Sequence, residues 1–274
     1  MSELIKIIQP KIKFHWSDFS ELWTYRELLY FLTWRDIKVR YKQTIIGIGW
    51  VIFQPFITMV VFTIFFGNFA KMPTDGAPYP IFVFIGLLFW QFFSSALGDI
   101  ANCLVANQGI ISKVYFPRII LPLSMVLTRL IDFFVASAML VVLMIYYGFM
   151  PSLLGLLVFP VLILVTAIAA LGLGLFFASL NVKYRDVRYV LPFFIQLMMF
   201  VTPVVYSSSI LGSYGWILAL NPMAGVIKTA RSEFLQSYAT NWLQFSLSIS
   251  VCVVVLIIGW WYFRYEERAS VDTF

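Results

Sequence analysis

The chain has 274 residues, of which 61% are hydrophobic and only 12% are charged, with a mean hydropathy of +0.90. Because a soluble domain carries about 25% charged residues, this composition excludes a soluble globule and indicates a polytopic membrane protein. The net charge of +6 resides in segments between apolar runs, so it reflects membrane topology and argues against a nucleic acid partner.

The N-terminal segment, residues 1–46, is polar and includes a basic amphipathic stretch. Two sets of residues in it have helical spacing: an apolar stripe of Tyr30, Trp34, Ile37 and Tyr41, and a basic stripe of Arg35, Lys38 and Lys42. We expect a helix in the membrane interface, on the cytosolic side, because positive charge beside a span is held there. No apolar run precedes residue 45, so no signal peptide is expected.

Six apolar runs follow, and each is expected to be a transmembrane helix, because a bilayer core about 30 Å thick needs about 20 helical residues. They occupy about 47–70, 80–104, 118–147, 153–180, 190–206 and 243–263, and 264–274 is a polar tail. The fifth run is short and contains Pro192 and Pro203, so it barely spans. The broken stretch 207–242 predicts short re-entrant or interfacial helices on the outer side.

Charged residues inside these runs are few. Arg129 and Asp132 are spaced i, i+3 in the third run, and Asp99 lies near the inner end of the second. Since an unmatched charge in a bilayer is costly, an intramembrane ion pair between Arg129 and Asp132 is favoured over a translocation role. The small residues of 167–174 are expected to pack within the chain, with a dimer face as the alternative.

The distribution of positive charge predicts the orientation. Fifteen Lys and Arg residues fall in segments on one side of the six-span arrangement, and three fall on the other. The positive-inside rule then places both termini, and the loops 105–117 and 181–189, in the cytosol.

The sequence lacks the motifs of the common enzymes. It has no G-x-x-x-x-G-K-[ST] phosphate loop, no G-x-S-x-G and no H-E-x-x-H. His, Cys and carboxylates are not grouped as metal ligands would be. We therefore expect a chain that is not an enzyme, does not hydrolyse ATP, and binds no cofactor of its own.

Several motifs do point to a family. They read RDIKVRYKQTIIGIGW at 35–50, PIFVFIGLLFW at 80–90, KVYFPR at 113–118, NVKYRDV at 181–187 and LNPMAG at 220–225. In this order and spacing, from about residue 23 to 263, the chain resembles the transmembrane subunits of bacterial polysaccharide ABC exporters. That family, with a type-2 ABC transmembrane domain, includes exporters of O-antigen, capsule and teichoic acid.

The resemblance implies an all-α homodimer in the bacterial inner membrane that forms a continuous tunnel. Two copies of a separate cytosolic ATPase would bind ATP and Mg, and the cargo would be a polysaccharide linked to a polyprenyl diphosphate. The basic helix and the loop 105–117 would couple to the ATPase. The candidate coupling residues are Arg35, Lys38, Arg40, Lys42, Gln108, Lys113 and Tyr115.

Aromatic residues are the candidates for the tunnel lining, because sugar C–H faces stack on rings that impose no fixed hydrogen bonds. They are Phe62, Phe65, Phe66, Phe69, Phe89, Trp90, Phe93, Phe200 and Tyr206. For each ring, facing lipid or filling a packing gap is the alternative.

Two other classes of function stay open at this point. One is a secondary transporter or channel driven by an ion gradient, although proton relays use more intramembrane ionisable residues than this chain has. The other is a membrane-embedded glycosyl or phosphoryl transferase, which would need grouped acidic residues. Copurification with an ATPase would separate the exporter from both.

Overall fold

The computed structural model describes residues 23–42, 47–210, 218, 220–236 and 238–269. Throughout these ranges the regular structure is helical, which confirms the all-α class. The helices are α1 (Arg26–Lys42), α2 (Gly49–Phe62, continued by a π-helical segment, Thr63–Phe69), α3 (Tyr79–Ala106), α4 (Gln108–Ile111), α5 (Ile120–Tyr147), α6 (Leu153–Lys183), α7 (Val187–Val201), α8 (Pro222–Leu235) and α9 (Trp242–Ala269).

Five helices of the described chain are long and apolar enough to cross a membrane. They span Gly49–Phe69, Tyr79–Ala106, Ile120–Tyr147, Leu153–Lys183 and Trp242–Glu267, close to the first four predicted runs and the last. The fifth predicted run corresponds to α7, whose 15 residues extend only about 22 Å at 1.5 Å per residue. A helix of that length falls short of the bilayer core.

Helix α3 is the centre of the bundle. Its residues 81–90 are all buried, because this stretch is apolar on every side and packs against α5, α6 and α8. Phe89 illustrates the packing: its ring centroid lies 5.3 Å from that of Phe133 on α5 and 6.3 Å from that of Phe159 on α6.

The small residues of α6 let two neighbouring helices approach closely. A Cβ added at Gly172 would lie 2.7 Å from the backbone nitrogen of Leu256 on α9, and one at Gly174 would lie 2.6 Å from Cγ2 of Ile100 on α3. Both distances are too short for a side chain, so the predicted packing role within the chain is confirmed.

Two helices stand apart from the core. Only 11% of the apolar stretch of α2 is buried, and Leu191 is the one buried residue of α7. Both helices therefore have broad apolar faces that the rest of the described chain does not cover.

Helix α8 has the opposite character, because all its residues except Lys228 are buried. The Asn221 side chain caps its start by accepting a hydrogen bond from Met223 N at 3.0 Å, and also donates to Thr202 Oγ1 at 2.8 Å. At the other end, Gln236 Nε2 donates to the carbonyl of Met150 at 2.9 Å. Residues 211–217 of the predicted pair of short helices lie outside the described residues.

Candidate functional site

Four charged side chains from three helices form a closed network, which we call the charged ring: Arg40 of α1, Asp99 of α3, and Arg129 and Asp132 of α5. Arg129 binds Asp99 through two hydrogen bonds of 2.7 and 3.0 Å and lies 3.2 Å from Asp132. Arg40 donates to Asp132 at 2.6 Å and to Asp99 at 3.1 Å. Each arginine thus contacts both carboxylates.

The charged ring is electrically neutral and partly shielded. Its two cations and two anions have side-chain exposures between 13% and 28%. Charges this far out of water need matched partners, which explains why no member is left unpaired. The predicted pair of Arg129 and Asp132 is thus one side of a larger network that also contains Asp99 and Arg40.

Further polar contacts tie α1 to the bundle. The Tyr41 hydroxyl donates a hydrogen bond to Asp132, and burial together with this bond raises the pKa of Tyr41. Arg35 pairs with its neighbour Asp36 and donates to Asn107 Oδ1 at 3.1 Å. The side of α1 that faces the protein is therefore polar as well as apolar.

A cleft of about 610 Å³ opens above the charged ring, between α2 on one side and α3 and α5 on the other. Its floor contains Arg40, Tyr41, Arg129 and Asp132. Its walls are mostly apolar and aromatic: Trp50, Val51, Pro55, Leu88, Phe92, Phe133 and Ala136, with Gln54, Gln91 and Ser95 as polar groups. An amphiphile with a polar head at the floor matches this gradient.

The aromatic candidates fall into three groups: buried, exposed and half-buried. Phe89, Trp90 and Phe93 are buried in the core around α3 and offer no surface, which corrects the lining prediction for these three rings. Phe65, Phe69 and Phe200 are exposed on α2 and α7. Phe62 and Phe66 are half-buried, as is Tyr206, whose hydroxyl donates to the carbonyls of Phe200 and Val201.

The candidate coupling residues fall into an exposed set and a set turned toward the bundle. Lys38 and Lys42 are exposed on α1, and the Lys38 ammonium lies 5.3 Å from the centre of the Trp34 ring. Gln108, Lys113 and Tyr115 are exposed on α4 and the segment that follows it. Arg35 and Arg40 are instead turned toward the bundle.

The sequence pattern did not predict a site at Arg231, which is one of the three positive residues counted on the outer side of the six-span arrangement. Arg231 is only 2% exposed, and its guanidinium donates to the carbonyls of Phe82, Pro203 and Val204 at 3.0, 2.7 and 2.5 Å. It also lies over the Phe82 ring, 3.6 Å from the centroid. Burial lowers the pKa of Arg231 to about 10. Within the described residues no carboxylate pairs with it, so its N–H groups are satisfied by backbone carbonyls of α3 and of the segment beyond α7.

Comparisons with known proteins agree with one another. The family model described as ABC-2 type transporter matches residues 27–235. The chain is 32% identical to the O-antigen export system permease protein RfbA of Myxococcus xanthus, over 79% of this chain and 83% of that protein. It is 29% identical to RfbA of Klebsiella pneumoniae, over 85% and 89% of the two chains.

The chain is also similar to a more distant transport protein. The polysialic acid transport protein KpsM of Escherichia coli is 23% identical over 87% of this chain and 93% of its own. The family match covers all four members of the charged ring, Arg231, and helices α2 to α8. The chain therefore belongs to the ABC-2 type transporter family.

Proposed function

We propose that this chain is the permease subunit of an ATP-driven exporter that moves a lipid-linked polysaccharide across the bacterial inner membrane. The observation that carries the proposal is the match to permeases named for O-antigen export over most of both chains. The cleft supports it, because a polar floor beneath apolar and aromatic walls suits a lipid carrier with a polar head.

Six crossings are proposed, with α7 as the fifth. Helix α7 is too short to cross alone, and the segment beyond Thr202 would complete the crossing. The carbonyls of Pro203 and Val204 in that segment accept hydrogen bonds from Arg231 instead of from a further helical turn. Helix α8, anchored to Thr202 at one end and to Met150 at the other, fits a re-entrant element. The positive-inside rule then places both termini in the cytosol.

A homodimer would cover the faces that α2 and α7 leave open. Of the aromatic residues considered for the tunnel, Phe65, Phe69 and Phe200 have exposed rings, and Phe62, Phe66 and Tyr206 are partly accessible. Rings bind sugar faces by stacking and allow a polymer to slide, since no hydrogen bond must be broken at each step.

Two copies of a separate ATPase would supply the energy and would hold ATP and Mg. The exposed side chains of Gln108, Lys113 and Tyr115 suit a contact with that subunit, as do Lys38 and Lys42 on α1. Arg35 and Arg40 would act from inside the same region, through their contacts with the bundle.

Reconstitution tests the function. The permease and its partner ATPase are placed in liposomes containing a polyprenyl diphosphate-linked glycan, and transfer across the bilayer is measured. We expect transfer that requires ATP and stops when the phosphate-loop lysine of the ATPase is replaced. Transfer driven by an ion gradient without ATP would instead establish the alternative, a secondary transporter.

A further inference from the structure

We propose that the charged ring is the link through which α1 controls the floor of the cleft, with Arg40 as its detachable positioning residue. This inference rests on the proposed function, in which α1 lies beside an ATPase. The structural basis is that Arg40 connects α1 to α3 and α5 simultaneously, through Asp99 and Asp132.

Helix α1 is lightly held by apolar contacts. Leu32 and Thr33 are its only buried residues, and the helix packs mainly against α5. Leu28 and Leu29 add partly buried apolar contacts to the cluster around Leu32. The C-terminal half of α1 is instead attached by polar contacts: Arg35 to Asn107, Arg40 to the two carboxylates, and Tyr41 to Asp132. The C-terminal half of α1 can therefore move when a few polar contacts are exchanged, because the apolar contacts that hold the helix lie in its N-terminal half.

The charged ring is asymmetric in a way that makes Arg40 the member that can leave. Arg129 by itself binds Asp99 bidentately and contacts Asp132, so both carboxylates keep a cation when Arg40 withdraws. Arg40 sits near the end of α1, where water can solvate it. Opening the ring at Arg40 therefore leaves each carboxylate in contact with a cation, whereas opening it at Arg129 would break both links within the bundle.

Withdrawal of Arg40 would also alter the cleft. Arg40 and Tyr41 form part of its floor, together with Arg129 and Asp132. Their removal would widen the floor and change the formal charge of the ring from neutral to negative. Movement of α1 thus sets both the size and the charge of the inner end of the cleft.

The first test uses the permease alone and needs no transport. Hydrogen–deuterium exchange of the α1 amides is compared in the wild type, Arg40→Gln, Arg40→Lys and Lys42→Gln. Because hydrogen bonds to charged groups are lost, Arg40→Gln should exchange about ten-fold faster or more, with Arg40→Lys in between. Lys42→Gln removes the same charge from an exposed site of the same helix and should match the wild type. Equal exchange in Arg40→Gln and wild type would overturn the proposal.

The second test uses the complex with the ATPase in liposomes. Arg40→Gln should keep ATP hydrolysis but export at least about ten-fold less glycan per ATP, since motion of α1 no longer reaches the cleft. Arg40→Lys should restore part of the ratio. If export and hydrolysis instead fall together, in proportion to the amount of folded protein, Arg40 is only a structural residue. Failure of the wild type to export would count against the proposed function, and the exchange experiment would still decide whether Arg40 holds α1.

Discussion

Gly86 packs directly against the guanidinium of Arg231. A Cβ added at Gly86 would lie 2.6 Å from Nη2 of Arg231 and 2.8 Å from the carbonyl oxygen of Val204. The absent side chain on α3 thus makes room for the guanidinium and for the chain beyond α7. We expect Gly86→Ala to displace Arg231 and to lower the melting temperature in detergent. Gly98→Ala is the control on the same helix, because a Cβ there meets nothing within 4 Å. It should be neutral or slightly stabilising, by about 0.5 to 1 kcal/mol. Equal melting temperatures for the two variants would show that Arg231 does not require a glycine at position 86.

Arg231 should be a major contributor to stability. Arg231→Met fills much of the volume but leaves the carbonyls of Phe82, Pro203 and Val204 without their donor. Since each unsatisfied buried group costs about 1 to 3 kcal/mol, we expect the free energy of unfolding to fall by at least about 3 kcal/mol. The control is Lys228→Met on the same helix, where one hydrogen bond to Gln244 is lost from a half-buried site. A smaller effect at Arg231 than at Lys228 would show that the carbonyls find other donors.

The exposed and the buried aromatic residues should behave differently when truncated. Phe65→Ala and Phe200→Ala should reduce glycan export without lowering the melting temperature, because these rings pack little against their own chain. Phe89→Ala, in the core, should instead destabilise the protein by about 3 to 5 kcal/mol. Export by that variant should fall only as far as the amount of folded protein falls. If both Phe65→Ala and Phe200→Ala export normally, these two rings face lipid and do not line the tunnel.

The membrane topology can be tested by labelling cysteines placed at two exposed lysine positions. Lys71 lies between α2 and α3, and Lys113 lies between α4 and α5. In intact cells, an impermeant maleimide should label Lys71→Cys and spare Lys113→Cys. The native thiols of Cys103 and Cys252 are buried and give little background. Labelling of Lys113→Cys from outside would reverse the orientation and remove the basis for an ATPase contact at α4.

The sequence was sufficient for the class of protein, for most helix positions and for the pairing of small residues with close helix crossings. These features depend on local quantities: the length of an apolar run and the spacing of small side chains. The spacing of Arg129 and Asp132 likewise indicated an ion pair, because both residues lie on one helix.

Tertiary structure alone decided which partners meet across helices. Asp99 and Arg40 joined the pair of Arg129 and Asp132 from helices 30 or more residues away in the chain, and no local pattern predicts that meeting. The aromatic residues showed the same limit: Phe65 and Phe89 look alike in the sequence, yet one is exposed and the other buried. A ring in an apolar helix has no period that separates core from surface, because lipid and core are equally apolar. Burial of Arg231 was likewise beyond the sequence, since its partners are backbone carbonyls, which every residue has.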